Sequence, residues 1–240
     1  MHNQTHFILS PITDILKNVV SASSGIGNGI ETYPLYDYVM QSVFLKMTGF
    51  QEQKMKCICW EMASNDYEYR YDFTKVPLGE CSDYKDKQKI YSDLVRQIEK
   101  YGIPFSENLI DRKNILNSTL AEITNIFSGT NLSIWAQNDF LRFRDLLKDV
   151  NENHFAKDKG SLFSNQLLVD IFKNNLYRHR NRIAHNTFSY QQNLPTLKTL
   201  ANPNYKYENY FVYFFILALI DKIFTNLFRK YLTGIKDSSF

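Results

Sequence analysis

The stretch SDYKDKQKIYSDLVRQIEKYGIP, residues 82–104, decides the fold. Ile90, Leu94 and Ile98 recur every fourth residue, which places them on one face of a helix with 3.6 residues per turn. Ser82 reads as the N-cap, Gly102 as the residue just past the C-terminus, and Pro104 as the stop. The same period recurs on both sides. Leu109, Leu116, Leu120, Ile123 and Phe127 define a helix from Ser106, ended by Gly129, and Phe140, Phe143, Leu147 and Val150 define one from about Ala136. Upstream, Val39, Val43, Met47, Ile58 and Met62 mark a long helix from Pro34, with a bend expected at Gly49. Downstream, Leu168, Phe172, Leu176 and Ile183 form the stripe of a helix over 163–183, and a last helix over about 207–232 is apolar almost all round at its start. Strand-like alternation is confined to stretches such as Tyr67–Phe73. The expectation is an all-α bundle of about five or six main helices, with residues 1–33 as an N-terminal arm carrying a short helix near Pro11–Val20 and residues 34–240 as one helical domain.

Composition agrees with helices joined by short loops. Aromatics reach 15%, from 18 Phe, 16 Tyr and 2 Trp, while the 9 Gly and 6 Pro are too few for a many-turned β sandwich. Three cysteines, Cys57, Cys59 and Cys81, make no disulfide framework and no zinc spacing, which suits a reducing cytoplasm. The N-terminal MHNQTHFILSP lacks the basic and apolar regions of a signal peptide. The apolar run Tyr210–Ile220 stops at Asp221 and Lys222, short of the ~20 residues a membrane span needs, so it is read as a buried helix at the bundle centre or a subunit interface. No membrane association is expected.

Charge is unevenly distributed. Residues 1–160 hold 18 Lys and Arg against 21 Asp and Glu, whereas residues 161–240 hold 10 against 4. Lys173, Arg178, Arg180 and Arg182 face a single acid, Asp170, over residues 161–190. Such a local excess suits a polyanion. The densest part is YRHRNRIAHN, residues 177–186, with three arginines, two histidines and two asparagines. On a continuous helix Arg178, Asn181 and His185 project outward together, and His179 lies nearer the core stripe. Arg180 is about 140° from His185 and joins that group only if the backbone turns near Ala184 or two chains share the site. Guanidinium, carboxamide and imidazole together suit phosphodiester chemistry: an arginine fork holds two phosphate oxygens, and imidazole moves protons near neutral pH. With RNA the substrate's own 2′-OH is the nucleophile, so neither a metal nor another cofactor is expected.

RNRIAH, Arg180–His185, resembles the R-x(4–6)-H signature of the HEPN family, whose arginine is usually followed by a polar residue, here Asn181. The resemblance rests on residues 178–186 and could extend, as a helical likeness, over about 35–235. It implies an α-helical bundle that dimerises so that two motif copies line one cleft. It further implies a metal-independent endoribonuclease of toxin, abortive-infection or antiviral defence systems, restrained by an antitoxin or another regulatory partner. By position, His185 would transfer protons, Arg180 would bind phosphate and stabilise the transition state, and Asn181 would orient. Arg178, followed by His179, satisfies the same spacing, so the motif arginine is either Arg180 or Arg178. Arg178, Arg182, His179 and Asn186 would then contact RNA phosphates.

Other chemistries fit less well. Gly25, Gly27 and Gly29 lack GxGxxG spacing and no GK[ST] occurs, which excludes a P-loop hydrolase. Asp66, Glu68 and Arg70 lack the pattern of a metal-dependent nuclease. His2 and His6 lie near a fraying end, and His154 sits among Asn151, Glu152 and Asn153 in a polar loop. Two alternatives use the same fold: a noncatalytic module whose basic groove holds a nucleotide, an RNA or a protein, and a structural dimer in which Arg178, Arg180 and Arg182 only complement a helix C-terminus.

Overall fold

A computed structural model describes residues 3–27, 29–75, 78–184 and 207–238. The protein is all-α; among the described residues no strand forms, only an isolated antiparallel bridge between Phe155 and Phe163. Two short helices, α1 (Asn3–Leu9) and α2 (Thr13–Ser23), precede the long α3 (Tyr33–Asn65). Then come α4 (Tyr67–Lys75), α5 (Tyr84–Lys100), α6 (Arg112–Phe127), α7 (Asn131–Trp135) and α8 (Gln137–Leu146). The motif rod starts as α9 (Gln166–Asp170), passes through a π-helical stretch (Ile171–Tyr177), and returns to α geometry in α10 (Arg178–Ala184). The chain closes with α11 (Tyr210–Ser238).

Capping explains where these helices start. The Asp83 carboxylate accepts from the Asp86 N–H at 2.7 Å, so Asp83 rather than Ser82 opens α5; Asp111 likewise accepts from the Asn114 N–H at 2.9 Å, and α6 starts there instead of at Ser106. Gly102 and Gly129 take positive φ, +83° and +74°, each two residues past its helix, the conformation glycine adopts without a Cβ penalty. The Tyr67–Phe73 stretch, whose alternation resembled a strand, is helical. Asp66 is extended and accepts from the N–H groups of Glu68 (2.9 Å) and Tyr69 (3.3 Å), which nucleates α4.

Helix α11 is the axis of the bundle. Every residue from Phe211 to Asp221 is buried, and α11 packs against α3, α5, α6 and α8. It is long and apolar enough to cross a membrane, yet 89% of its most apolar window is buried by its own chain. Rings fill the space around it: Phe127 stacks on Phe214 (5.8 Å between centroids, 9° between planes) and meets Phe211 edge-on at 5.0 Å. The side-chain amide of Gln51 on α3 donates to the Leu217 carbonyl at 2.9 Å. The span read as an N-terminal arm contributes to this core: Ile8, Ile12 and Leu16 are buried, and α1 and α2 both pack on α3. At their junction, Lys54 of α3 donates to the Ser10 carbonyl (2.7 Å) and to Asp221, whose other oxygen accepts from the Ile12 N–H at 3.2 Å.

Candidate functional site

The motif rod lies against α3. A π-helical turn holds about one residue more than an α turn, which rotates whatever follows by roughly 100° against a uniform wheel. Leu168, Ile171, Phe172 and Leu176 are buried, and α10 emerges from the π stretch with Arg178 exposed and Arg180, Asn181 and Arg182 half-buried. Arg178 faces solvent, as a helix wheel predicts. Asn181 does not stand beside it: its Oδ1 accepts from Arg180 Nη1 at 3.1 Å.

Arg180 reaches α3. Its Nη2 donates to both oxygens of Glu52, at 3.0 and 3.2 Å, with 21% of the Arg180 side chain and 13% of the Glu52 side chain exposed. Among the described residues Arg180 makes three hydrogen bonds, from a guanidinium with five N–H donors. Thus Arg180 and Asn181 come together although the wheel separates Arg180 from the outward face. Residues His185 and Asn186, assigned above to proton transfer and RNA contact, lie outside the described residues.

His179, expected to contact phosphate, is turned toward the aromatic core. Its ring packs among Phe44 (5.5 Å), Tyr210 (5.2 Å) and Tyr213 (5.5 Å), with Nε2 3.0 Å from the Tyr210 hydroxyl. Burial, with the Arg182 charge adding to it, pushes the imidazole down to about 4. A ring that is neutral at pH 7 and turned inward offers no charge to a phosphate.

Behind Glu52 lies a charged cluster. Lys87 of α5 is buried, donates to the Cys81 carbonyl at 2.8 Å and sits 5.8 Å from the centroid of the Phe172 ring. Burial pushes its ammonium down to about 8, opposed chiefly by the Glu52 charge. Cys81 takes φ +60°, uncommon for a non-glycine residue, and both its backbone groups are engaged by α5, its N–H donating to Asp86 Oδ2 at 3.1 Å. Lys56, one turn beyond Glu52 on α3, pairs with Glu80. Lys56 and Cys81 also border an apolar cavity of about 510 Å³, which Trp60 flanks. Burial raises the thiols of Cys59 and Cys81, to about 12 and about 11, so both are neutral walls.

Glu52 and Lys87 were the residues that motif reading missed. Glu52 is one acid within a 33-residue helix and carries no local signal. Lys87 carries one: it occupies the position that extends the Ile90, Leu94, Ile98 stripe one turn backwards, where an apolar side chain is expected. No protein-family model matches this chain, and no curated protein or solved structure is found to be similar to it, so the chemistry of this corner stands on its own geometry.

Proposed function

We propose that the chain is a metal-independent endoribonuclease of the HEPN kind, acting in the cytoplasm as a homodimer within a toxin or antiviral defence system. The observation that supports it is the anchoring of Arg180. Its guanidinium is held by Glu52 and by Asn181 on α10, its side chain is 21% exposed, and residue 185 is only five positions on in the sequence. A fixed fork needs no reorganisation when negative charge develops on a phosphodiester. In this reading the His185 imidazole takes the proton of a ribose 2′-OH, the 2′ oxygen attacks phosphorus, and the P–O5′ bond breaks. The proton taken up by the imidazole is returned to the departing 5′ oxygen, so the products are a 2′,3′-cyclic phosphate and a 5′-OH. Arg180 holds the non-bridging oxygens and Asn181 keeps Arg180 in register.

Glu52 also favours a second reading. Because it neutralises much of the Arg180 charge, the corner could hold RNA or a protein partner without cutting it. One experiment separates the two: mixed RNA is incubated in EDTA with wild type, His185→Ala and Arg180→Lys, and the 2′,3′-cyclic ends are counted. The nuclease reading expects cleavage by wild type, loss in His185→Ala, and a loss of about tenfold or more in Arg180→Lys, which keeps the charge and loses the fork. Equal activity of wild type and His185→Ala, or activity only with added metal, refutes it.

A further inference from the structure

We infer that the groove between α5 and the motif rod is a binding track for the phosphate backbone of a single RNA strand. The inference rests on the nuclease reading only for the identity of the polyanion. Lys85, Lys89 and Arg96 lie at i, i+4 and i+11 of α5, on one face, over about 16 Å of helix length. Lys173, on the π-helical stretch of the motif rod, closes the opposite wall, its Nζ 5.1 Å from the centroid of the Tyr84 ring. Together with Gln88 and Ser92 these cations line a cavity of about 550 Å³.

The decisive element is Asp93. It is only 2% exposed, yet one carboxylate oxygen accepts from Lys89 Nζ at 2.7 Å and the other from Arg96 Nη2. The acid also lines the cavity, but it is nearly buried and both its oxygens are taken by cations that remain 46% and 68% exposed, so it aligns their heads along the groove and is outnumbered there by positive charge. An ammonium has three donors and a guanidinium five; each spends one here, and the rest face outward. Among the described residues neither Lys85 nor Lys173 makes an ion pair, so the groove carries four cations against one buried carboxylate. A concave cationic channel of this kind focuses its field on a polyanion. It also leads toward the motif: Lys173 precedes Arg178, the exposed arginine of α10, by five residues on the same rod.

The test uses the full chain and a fluorescein-labelled 12-nucleotide RNA carrying 2′-O-methyl groups throughout, which binds but cannot react by 2′-OH attack. Anisotropy titrations between 50 and 300 mM salt compare wild type, Lys85→Gln/Lys173→Gln, and Lys148→Gln, an exposed lysine on another face. Circular dichroism checks that all three are folded. Each neutralised cation should remove about 0.7 from the slope of log affinity against log salt, so the double variant should lose about 1.4 of it and bind about tenfold more weakly at 100 mM, with Lys148→Gln unchanged. A double variant that binds like wild type overturns the inference, as does a polyglutamate peptide that competes as well as RNA. Groove-dependent binding without any cleavage of natural RNA would leave the track standing and sink the nuclease reading instead.

Discussion

Replacing Asp221 by leucine should unfold this protein more readily than any surface change, because it strands a buried cation. Lys54 is fully buried and Asp221 is 3% exposed. Their contact also fixes the α1–α2 junction, through the Ser10 carbonyl on Lys54 and the Ile12 N–H on Asp221. Removing one member of a buried pair costs about 3–5 kcal/mol, chiefly the desolvation of the orphan, and the unpaired Ile12 N–H adds about 1 kcal/mol. For a chain of this size, a loss of ~4 kcal/mol lowers Tm by roughly 8–16 °C. Burial already pushes Lys54 down. Without its carboxylate the ammonium should lose its proton within the alkaline range, and because the unfolded chain keeps that proton up to pH 10.5, the deficit should shrink as pH rises. The double variant Lys54→Met/Asp221→Leu removes both charges and should recover all but about 1–2 kcal/mol. Urea unfolding followed by far-UV circular dichroism measures all three variants. A loss below about 1 kcal/mol in Asp221→Leu, or a double variant no better than the single, refutes the reasoning.

The remaining expectations concern single residues. Gly234→Ala, which in an open helix gains about 1 kcal/mol, should instead destabilise, because the new Cβ would come within 2.8 Å of Tyr101 Cβ; a higher Tm would contradict that packing. Phe214→Ala should cost about 3–5 kcal/mol in denaturant unfolding, since the ring is fully buried and stacked on Phe127. Burial alone would raise the Asp66 carboxyl, but hydrogen bonds from Lys100, Gln97 and the Tyr69 N–H outweigh it and hold it at about 2, against 3.8 unfolded. Its contribution is therefore present above pH 4 and lost as pH falls toward 2, and Asp66→Ala should lose about 2 kcal/mol at pH 7 and converge on wild type at pH 2. Lys87 has the opposite sign: with its folded value lowered to about 8 from 10.5, the unfolded chain binds more protons between those values, so stability rises with pH there by up to ~3 kcal/mol. Lys87→Met should abolish that rise; a parallel rise in both proteins would assign it to other groups.

Helices whose apolar residues keep one period were legible before any coordinates. In α5 the stripe Ile90, Leu94, Ile98 and the glycine at 102 appear where the sequence placed them, because a buried face and a left-handed turn both constrain residue type strongly. The start of α5 moved by one residue because two adjacent residues, Ser82 and Asp83, can each cap, and the winner is decided by which oxygen reaches the Asp86 N–H. Helix α4 had no helical stripe to announce it, because Tyr67, Tyr69, Tyr71 and Phe73 alternate with polar residues, while only Tyr69 among them is buried. Alternation measures burial on one face, and here most of that face is exposed.

The site divides along the same line. The cluster at 177–186 was visible as local composition, and the inward side of His179 followed from the wheel. What no local pattern contains is the counter-charge, since Glu52 is 128 residues from Arg180 and meets it only because the motif rod packs on α3. The wheel angles among Arg178, Arg180 and Asn181 hold within α10, but the π-helical turn of Ile171–Tyr177 rotates all of α10 against the buried stripe before it, so a uniform 100° step misplaces which side meets α3. That turn also sets the electrostatics: it directs His179 into an aromatic cage where it is neutral, while Arg180 meets a carboxylate that keeps it aimed. A substitution restoring a uniform helix there, such as deletion of Asn174, should therefore re-aim every residue from Arg178 onward while sparing the α11 core, and activity should vanish with far-UV circular dichroism intact. Retained activity in that deletion would mean that the chemistry does not depend on how α10 faces α3.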